Sequence, residues 1–373
     1  MISPKELFNE LNEEGVSSFS GVPDSLLKSF CAFVSDNASN NHIITANEGS
    51  AIALATGQYL STKKISCVYM QNSGFGNAIN PLLSIASEEV YGIPMILIIG
   101  WRGEPGVKDE PQHIKQGAVM ENLLNACEIP YFILDSETKN LKSFVSEVVQ
   151  TAKLQNCPVV ILVRKNTFSK YELKNNISSE CNLKREEAIE EVVLSSIDTD
   201  VFVSTTGMTS RELFEIRVKH KQAHSQDFLT VGSMGHANMI AMGIAENNPN
   251  SSIICLDGDG AALMHLGNLS SIGQSCLGNF IHIVLNNAAH DSVGGQPTCA
   301  DSIDLLSIAS SCGYKSSIKI VSKEEIIPII EKVKLLQGPH FIEIKVKKGS
   351  RDNLGRPTKT PSENKAALMD SLS

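Results

Sequence analysis

The sequence of 373 residues lacks several features, and each absence excludes a class of protein. No apolar run approaches the roughly 20 residues that a membrane-spanning helix requires. The first residues have no continuous apolar core, so we expect no signal peptide. Basic residues are in deficit, since 32 Lys and Arg stand against 41 Asp and Glu, and the net charge of −9 argues against a nucleic-acid partner.

Paired cysteines are missing as well. The nine cysteines are scattered singly, without a Cys-x-x-Cys motif, and Cys67 and Cys255 lie inside apolar runs. Buried free thiols in a reducing compartment explain this distribution better than disulfides or zinc ligands. We therefore expect a cytoplasmic protein.

What the sequence does contain is a regular alternation of short apolar runs and helical segments. Because apolar runs bounded by turn residues are typical of buried parallel strands, we predict two open, doubly wound α/β domains. Their predicted boundaries are 1–165 and 186–373, with a polar linker at 166–185. The predicted strands cover residues 16–19, 42–45, 65–70, 95–99, 131–134, 159–163, 201–204, 228–231, 253–256, 280–285, 317–320 and 340–345.

One stretch of the second domain carries residues suited to an anionic ligand. The strand at 253–256 leads into Gly258-Asp259-Gly260, the strand at 280–285 ends in Asn286-Asn287, and residues 261–273 have helical spacing. The two strands of such a βαβ unit end at the same edge of the sheet, where ligands bind. Asp259 offers a carboxylate, Asn287 an amide oxygen, and the glycines leave room for a diphosphate. These oxygen donors suit magnesium.

This stretch resembles the diphosphate- and metal-binding signature of thiamine diphosphate enzymes, in which Gly-Asp-Gly precedes Asn-Asn by about 25 residues. The resemblance implies three metal ligands, which are Asp259, Asn287 and the carbonyl oxygen of Ala289. It also implies cofactor contacts at the neighbours of Asp259: Gly258, Gly260 and Ala261. The residues alone leave open a strand-to-helix turn followed by an unrelated Asn-Asn loop.

Glu48 follows the second predicted strand, in Asn47-Glu48-Gly49-Ser50. Thiamine diphosphate enzymes carry at this place the glutamate that hydrogen-bonds the pyrimidine ring, so the resemblance implies that Glu48 is catalytic. A partly buried carboxyl with a raised pKa could exchange a proton with that ring. The alternative is that Asn47 caps a helix and Glu48 complements the helix dipole.

The cofactor of these enzymes is bound in a bent form, and residues 231–236 resemble the segment that bends it. The resemblance implies that Met234 is the apolar wedge beneath the cofactor and that the carbonyl of Gly232 accepts a hydrogen bond from its exocyclic amine. An ordinary glycine-rich turn with a methionine in the core is the alternative.

Several segments resemble the phosphonopyruvate decarboxylase family and its sulfopyruvate decarboxylase relative: residues 20–25, 100–106, 110–113 and 354–358. The resemblance implies decarboxylation of 3-phosphonopyruvate to phosphonoacetaldehyde and carbon dioxide, with thiamine diphosphate and Mg²⁺. It further implies that Asp24 and His113 lie near the reacting carbon. As alternatives, Asp24 is a helix cap and His113 is a solvated residue of a long loop at 100–116.

A phosphonate or sulfonate substrate requires cations near the active site. The candidates are Lys108, on the loop at 100–116, and Arg356, in the basic C-terminal segment at 345–365. A charged, solvated tail is the alternative for Arg356.

In the resembled family, Glu48 of one subunit and Asp259 of another complete an active site, which implies a homodimer or larger homo-oligomer. Three other functions stay open: sulfopyruvate decarboxylase, another thiamine diphosphate enzyme such as a carboligase, and a non-catalytic α/β nucleotide-binding protein. A single chain with both motifs favours the phosphonate enzyme, since sulfopyruvate enzymes are often split into two subunits.

Overall fold

The computed structural model describes residues 1–38, 40–174 and 181–372. The chain divides into two compact units, Met1–Asn176 with His290–Gln296, and Ile177–Ala289 with Pro297–Ser373. Part of the expected linker, residues 175–180, lies outside the described residues.

Both units alternate strands and helices along the chain. In the first unit the described strands are β1 (Ser18–Gly21), β2 (His42–Ile44), β3 (Ser66–Gln71), β4 (Met95–Gly100), β5 (Tyr131–Leu134) and β6 (Pro158–Val163). The helices are α1 (Pro4–Glu13), α2 (Lys28–Asn37), α3 (Glu48–Thr62), α4 (Phe75–Pro81), α5 (Pro111–Ala126) and α6 (Leu141–Gln155).

The second unit repeats this alternation. Its described strands are β7 (Val201–Ser204), β8 (Asp227–Leu229), β9 (Ile253–Gly258), β10 (Phe280–Asn286), β11 (Ser316–Ile320) and β12 (His340–Lys345). The helices are α7 (Arg185–Leu194), α8 (Met208–Lys219), α9 (Ala237–Asn247), α10 (Asp259–Met264), α11 (Asn268–Gln274), α12 (Leu305–Cys312), α13 (Ile326–Lys334) and α14 (Pro361–Leu372).

Each unit has one parallel six-stranded sheet, and the two sheets share one topology. The strand orders are β2-β1-β3-β4-β6-β5 and β11-β12-β10-β9-β7-β8. Numbered from the first strand of its own unit, the second order is 5-6-4-3-1-2, which is the first order read from the opposite edge. The prediction of two doubly wound parallel sheets is therefore confirmed.

Helices cover both faces of each sheet, which explains the continuous apolar runs of the central strands. In β4, Ile96 and Ile98 join one hydrophobic cluster, whereas Leu97 and Ile99 join the cluster on the opposite face. All four side chains are fully buried. Since burial of such a side chain contributes about 1.5–3 kcal/mol, these strands anchor the core from which the loops at the sheet edge project.

Local signals place several helix starts correctly. Ser3 is the N-cap of α1 and Pro4 is its first residue, a position at which proline is favoured. Asn47 caps α3, because its side chain accepts a hydrogen bond from the backbone N–H of Ser50. The alternative reading of Asn47 as a cap is thus correct, and Glu48 opens the helix.

Other segments differ from the sequence prediction. Residues 261–273 form two helices instead of one, since the chain leaves helical geometry at His265 (φ −130°, ψ 52°). The loop expected at 100–116 ends at Pro111, where α5 begins. The basic C-terminal segment ends in a helix, α14, whose Leu368 packs into a hydrophobic cluster.

The start of the expected linker packs against the first unit. Ile2 donates a backbone hydrogen bond to the carbonyl of Thr167, and the N–H of Tyr171 donates to Ser29 Oγ. At the other end, Arg185 opens α7 and forms an ion pair with Glu212. Within the described residues, the chain thus has tertiary contacts on both sides of 175–180.

Among the helices that the structure describes, none has the length and apolar character needed to cross a membrane. The nine cysteines are all free thiols.

Candidate active site

The carboxyl ends of four neighbouring strands form the functional edge of the first sheet. In the order β2-β1-β3-β4, these strands are followed by Glu48, Asp24, Asn72 and Arg102. The register is close, since Gly21 pairs with both Ile44 and Tyr69 in the neighbouring strands. The parallel sheet therefore gathers these side chains along one edge.

Glu48 is buried, with 4% of its surface exposed, although it lies in the first turn of α3. Its Oε2 accepts a hydrogen bond of 2.8 Å from Asn77 Nδ2. Burial raises the pKa of Glu48, and the Asn77 hydrogen bond opposes this rise. Glu48 is therefore a buried acid in the first turn of the helix, and its burial favours the protonated carboxyl.

Gly74 leaves the space that the Glu48 carboxyl group occupies. A Cβ at position 74 would lie 2.1 Å from Glu48 Oε1, so only glycine allows the chain to come this close. The short turn at Asn72–Gly74 leads into α4, which carries Asn77. One loop thus supplies both the space for Glu48 and its hydrogen-bond donor.

Asp24 is fully buried at the end of β1. Its Oδ2 accepts hydrogen bonds from the N–H groups of Leu26 (2.9 Å) and Leu27 (3.1 Å), so the capping role is real. Burial raises the pKa of Asp24 to about 6, while these hydrogen bonds and the charge of Arg102 act in the opposite direction. A Cβ at Gly100 would lie 2.1 Å from Asp24 Oδ2, so this glycine makes room for the carboxyl.

His113 lies in the first turn of α5 and is 9% exposed. The alternative of a solvated loop histidine is therefore wrong. Its Nδ1 is buried and has no hydrogen-bond partner among the described residues. Burial, followed by the charge of Arg102, lowers the pKa of His113 to about 4. The imidazole is neutral near pH 7 and has a nitrogen available for a ligand.

The two candidates for anion binding are exposed side chains, Lys108 and Arg356. The carbonyl of Lys108 accepts a hydrogen bond from Lys165 Nζ. Arg211 holds the C-terminal segment through hydrogen bonds to the carbonyls of Leu354 and Gly355, just before Arg356. No described contact identifies either candidate as a substrate ligand, and both stay predictions.

In the second unit, β9 and β10 are adjacent and in register, with Leu285 opposite Gly258. Asp259 and Asn287 therefore follow neighbouring strand ends, as the sequence predicts. Asp259 is the first residue of α10 and is 3% exposed. Its Oδ2 accepts a hydrogen bond of 2.5 Å from Thr298 Oγ1.

Two consecutive turns fix the Asn286-Asn287 pair. Asn286 Oδ1 accepts from the N–H of Ala288, and Asn287 Oδ1 accepts from the N–H of Ala289. The Asn286 amide also donates to Glu343 Oε1 at 2.6 Å. Ala289 then pairs with Pro297 in an isolated antiparallel bridge. Asn287 and Ala289 are thus held rigidly beyond the end of β10, with 5% and 6% of their surfaces exposed.

The segment expected to bend the cofactor follows β8, which ends at Leu229 rather than at Val231. Gly232 and Met234 are half-buried in this turn. Gly235 has φ +85°, and a Cβ there would lie 2.6 Å from the ring of His265 and 3.0 Å from the carbonyl of Ala261. Glycine at 235 therefore lets the turn pack directly against α10, which begins with Asp259.

A buried polar network supports both turns of the second unit. Asn268 donates to the carbonyl of Gly235 and to Asn238 Oδ1, and Asn238 in turn donates to Asp257 Oδ2 at 3.2 Å. The same carboxylate oxygen is 3.2 Å from His282 Nε2. Satisfied networks of this kind rigidify their surroundings, so the 232–236 turn and the Asp259 turn are held relative to each other.

The network also contains a set of potential zinc ligands, since Cys255, Asp257 and His282 place ligand atoms within 4.8 Å of one another. Burial raises the pKa of the Cys255 thiol well above its ordinary value, so the sulfur keeps its proton. His282 is bonded on both sides, to Asp257 and to Tyr314 at 3.1 Å. We therefore interpret Asp257 and His282 as a hydrogen-bonded pair in the core.

Sequence reasoning missed the residues that support the expected ones. These are Gly74 and Asn77 beside Glu48, and Thr298 beside Asp259. The ion pair of Arg102 with Asp109 was missed as well. The two glycines Gly74 and Gly76, shortly after the end of β3 at Gln71, were a usable signal, because such loops mark close approaches. Thr298 had no local signal, since its contact with Asp259 spans 39 residues.

Comparison with known protein families matches two segments of the chain to two domains. Residues 5–125 match the N-terminal TPP binding domain of thiamine pyrophosphate enzymes, and residues 205–344 match their C-terminal TPP binding domain. The fold is thus that of an enzyme that uses thiamine diphosphate.

Three similar proteins narrow the class. Phosphonopyruvate decarboxylase of Streptomyces viridochromogenes is 31% identical over 97% of this chain and 93% of that protein. The same-named enzyme of Streptomyces hygroscopicus is 31% identical over 97% and 92%. Sulfopyruvate decarboxylase of Methanosarcina acetivorans is 28% identical over 100% and 98%. The chain belongs to the phosphonopyruvate decarboxylase family, and the predicted thiamine diphosphate-dependent carboxy-lyase is confirmed.

One argument from the sequence is not decisive. The Methanosarcina sulfopyruvate decarboxylase matches both halves of this chain in a single polypeptide. A fused chain therefore does not separate the phosphonate enzyme from the sulfonate enzyme.

The donor set of the second unit fits a metal-bound diphosphate. A carboxylate, a side-chain amide and a backbone carbonyl, at Asp259, Asn287 and Ala289, are hard oxygen donors of the kind that magnesium binds. At Gly258 the nearest atom to an added Cβ would be Thr205 Cγ2, at 3.9 Å, so the backbone is open to a ligand. The positive end of α10 favours an anion at the same point, although this helix is short.

Proposed function

We propose that this enzyme decarboxylates 3-phosphonopyruvate to phosphonoacetaldehyde and carbon dioxide, with thiamine diphosphate and Mg²⁺. The observation that carries the proposal is the 31% identity to phosphonopyruvate decarboxylases over nearly the whole of both chains. Both sets of candidate residues, Glu48 with its support and Asp259 with Asn287, are present in the one chain.

Asp259, Asn287 and the Ala289 carbonyl would hold the metal, and Gly258, Gly260 and Ala261 would line the diphosphate. Met234 and the Gly232 carbonyl would fix the bend of the cofactor. When bound, thiamine diphosphate supplies the electron sink that accepts the electron pair released when the substrate loses its carboxylate. The protein contributes position and electrostatics around that group.

Glu48 would hold and return a proton at the pyrimidine ring. Its burial favours the protonated carboxyl, and Asn77 keeps that carboxyl in one orientation. Because the pKa of Glu48 is raised toward the working pH, the proton is exchanged at a small free-energy cost.

Asp24 and His113 would act at the reacting carbon. Asp24, with a pKa of about 6, is divided between its two protonation states near neutral pH and can both donate and accept a proton. His113, with a pKa of about 4, is a neutral hydrogen-bond partner. We assign to Asp24 the proton that replaces carbon dioxide, and to His113 the orientation of substrate oxygen.

A direct test compares kcat/KM for phosphonopyruvate, sulfopyruvate and pyruvate at fixed thiamine diphosphate and Mg²⁺. We expect phosphonopyruvate to be preferred over pyruvate by at least about 100-fold, because a site built for a charged group is left with unpaired cations by the smaller acid. Sulfopyruvate decarboxylation is the second candidate, supported by the 28% identity to the Methanosarcina enzyme. A higher kcat/KM for sulfopyruvate would replace the first candidate by the second.

We also propose that the working form is a homodimer or larger homo-oligomer with active sites between subunits, and that it is cytoplasmic, in keeping with its free thiols. Whether the active sites are shared between chains is tested by mixing Glu48→Gln and Asp259→Asn chains under conditions in which subunits exchange. If each site takes Glu48 and Asp259 from different chains, a dimeric 1:1 mixture regains about a quarter of wild-type activity. A mixture that stays inactive after exchange, shown with tagged chains, contradicts the shared site.

A further inference from the structure

Arg102 lies two residues beyond the end of β4, and its contacts reach the loops that carry the candidate residues of the first unit. Its backbone is fixed from the neighbouring β3 loop, since the Arg102 N–H donates to Asn72 Oδ1 at 3.2 Å and Asn72 Nδ2 donates to the Arg102 carbonyl at 2.8 Å. Asn72 is 2% exposed and begins the turn that ends at Gly74, beside Glu48. The position of Arg102 is thus tied to the Glu48 region.

The guanidinium group binds Asp109 in a two-pronged ion pair. Arg102 Nε donates to Asp109 Oδ2 at 2.8 Å, and Nη2 donates to Oδ1 at 2.5 Å. Asp109 also accepts from the N–H groups of Gly103 and Glu110, each at 2.8 Å. Because Glu110 directly precedes α5, this ion pair fixes the start of the helix that presents His113.

The remaining nitrogen reaches the Asp24 loop. Arg102 Nη1 donates to Ser25 Oγ at 2.6 Å, and Ser25 follows Asp24 in the chain. One side chain therefore bridges the loop after β1 and the loop after β4.

The ion pair is well shielded, with 17% of the Arg102 side chain and 10% of the Asp109 side chain exposed. Shielded ion pairs add little net stability compared with apolar residues of the same volume, because both charges lose hydration. They do impose one geometry, since the planar guanidinium accepts few arrangements. The pair is therefore better explained by positioning than by stability.

We propose that Arg102 is a positioning residue that holds Asp24 and His113 in their reactive arrangement. It acts through Ser25 on one side and through Asp109 on the other. The inference rests on the proposed function, since Asp24 and His113 have their roles only in that reaction.

The charge of Arg102 provides a second readout. It lowers the pKa of Asp24 and the pKa of His113, while Asp109 acts on His113 in the opposite direction. Among the described residues, Cys31 is a further titratable neighbour of Asp24, and burial raises the pKa of its thiol far above neutrality, so it carries no charge. Removal of the guanidinium should therefore raise the pKa of Asp24.

The test compares wild type, Arg102→Gln, Arg102→Lys and Arg217→Gln in decarboxylation assays from pH 5 to 8. Arg217 is the matched control, because it forms a comparable buried fork with Asp227 in the second unit. We expect Arg102→Gln to lose at least about tenfold in kcat, since small misplacements of reacting groups are costly. The kcat/KM profile of this variant should have its limb near pH 6, which reports the titration of Asp24, at a higher pH than in wild type.

Arg102→Lys keeps the charge but not the fork, so we expect a similar loss in kcat with the limb near its wild-type position. Arg217→Gln should melt at a lower temperature and leave the limb unmoved. If Arg102→Gln does not fold, Ser25→Ala carries the test, because it removes the hydrogen bond from Arg102 to the Asp24 loop together with a long hydrogen bond of 3.5 Å from Ser25 to Asp24 Oδ1. It should lower kcat about threefold or more and lower the melting temperature by no more than a few degrees.

Any of four results would overturn the proposal: wild-type kcat in Arg102→Gln, full rescue by Arg102→Lys, an equal kcat loss in Arg217→Gln, or, when Ser25→Ala carries the test, unchanged kcat in that variant. Wild-type enzyme without decarboxylase activity would instead refute the proposed function, so the two failures are distinguishable.

Discussion

The side-chain amide of Asn77 donates a hydrogen bond of 2.8 Å to the carboxyl group of Glu48, across 29 residues of sequence. This contact and the close approach of Gly74 hold a buried acid at the start of a helix, where the end of a neighbouring strand meets it. An acid in this setting keeps a proton more readily than one in water, which is the property that the proposed reaction requires.

Replacing Glu48 by Gln should reduce kcat by at least about 100-fold, because Gln preserves shape but cannot exchange the proton. Steady-state decarboxylation assays with saturating cofactor measure the effect. Glu13→Gln makes the same chemical change on an exposed helix of the same unit, so it should retain wild-type kcat. A Glu48→Gln enzyme within a few fold of wild type would remove the proton role from Glu48.

Gly74→Ala should lower activity more than it lowers stability. The added Cβ would lie 2.1 Å from Oε1, 2.5 Å from Cδ and 2.7 Å from Cγ of Glu48, so the buried side chain has to leave its reactive position. We expect kcat to fall roughly 10- to 100-fold, while the melting temperature falls by a few degrees. Gly76→Ala is the control, since an added Cβ there meets nothing within 4 Å. Equal kcat values for the two variants would contradict the proposed packing.

Asp24→Asn should stabilise the protein above pH 6 while reducing activity. The pKa of Asp24 rises from 3.8 to about 6 on folding, so between these values the native protein keeps a proton that the unfolded chain releases. Stability is therefore lost as the pH rises through this range, by up to about 3 kcal/mol for this group. Asn carries no charge and escapes this loss.

Thermal melts of the cofactor-free protein at pH 4.5 and pH 8 measure the effect. The melting temperature of Asp24→Asn relative to wild type should be higher at pH 8 than at pH 4.5. A difference that does not depend on pH would mean that the carboxyl titrates with an ordinary pKa.

Thr298→Val should weaken Mg²⁺-dependent binding of thiamine diphosphate by roughly 10- to 100-fold, as loss of a contact that orients a metal ligand usually does. Its hydroxyl donates to Asp259 Oδ2, and Val removes the hydroxyl while keeping the volume. Calorimetric titration of cofactor at fixed Mg²⁺ gives the affinity. Thr298→Ser keeps the hydroxyl and should bind within about threefold of wild type. Wild-type affinity in the Val variant would show that this hydroxyl does not orient Asp259.

The sequence predicts the strand framework and the residues at the strand ends because both follow from local patterns. Apolar runs and the turn residues after them placed Asp259 and Asn287 on neighbouring strand ends, where the register of Leu285 and Gly258 puts them. Asn47 also followed from a local rule, since a short polar side chain before a helical segment is a frequent cap.

The parts that were not predicted depend on distant contacts. The break at His265, the burial of His113 and the bridge from Arg102 to Ser25 arise where separate loops meet. Hydrophobic periodicity carries no information about contacts between distant loops. The sequence of the loop at 100–116 therefore did not predict the ion pair between Arg102 and Asp109. Thr298 and Asn77 were missed for the same reason.

The central claim is that this chain releases carbon dioxide from a 2-oxo acid with thiamine diphosphate and without any second substrate. The most direct measurement incubates the purified protein with phosphonopyruvate, thiamine diphosphate and Mg²⁺ in the absence of an acceptor aldehyde, and follows both products. The account predicts equal amounts of carbon dioxide and phosphonoacetaldehyde, and none of either when thiamine diphosphate is omitted. Turnover that needs an acceptor aldehyde, or no turnover with the cofactor bound, would contradict it.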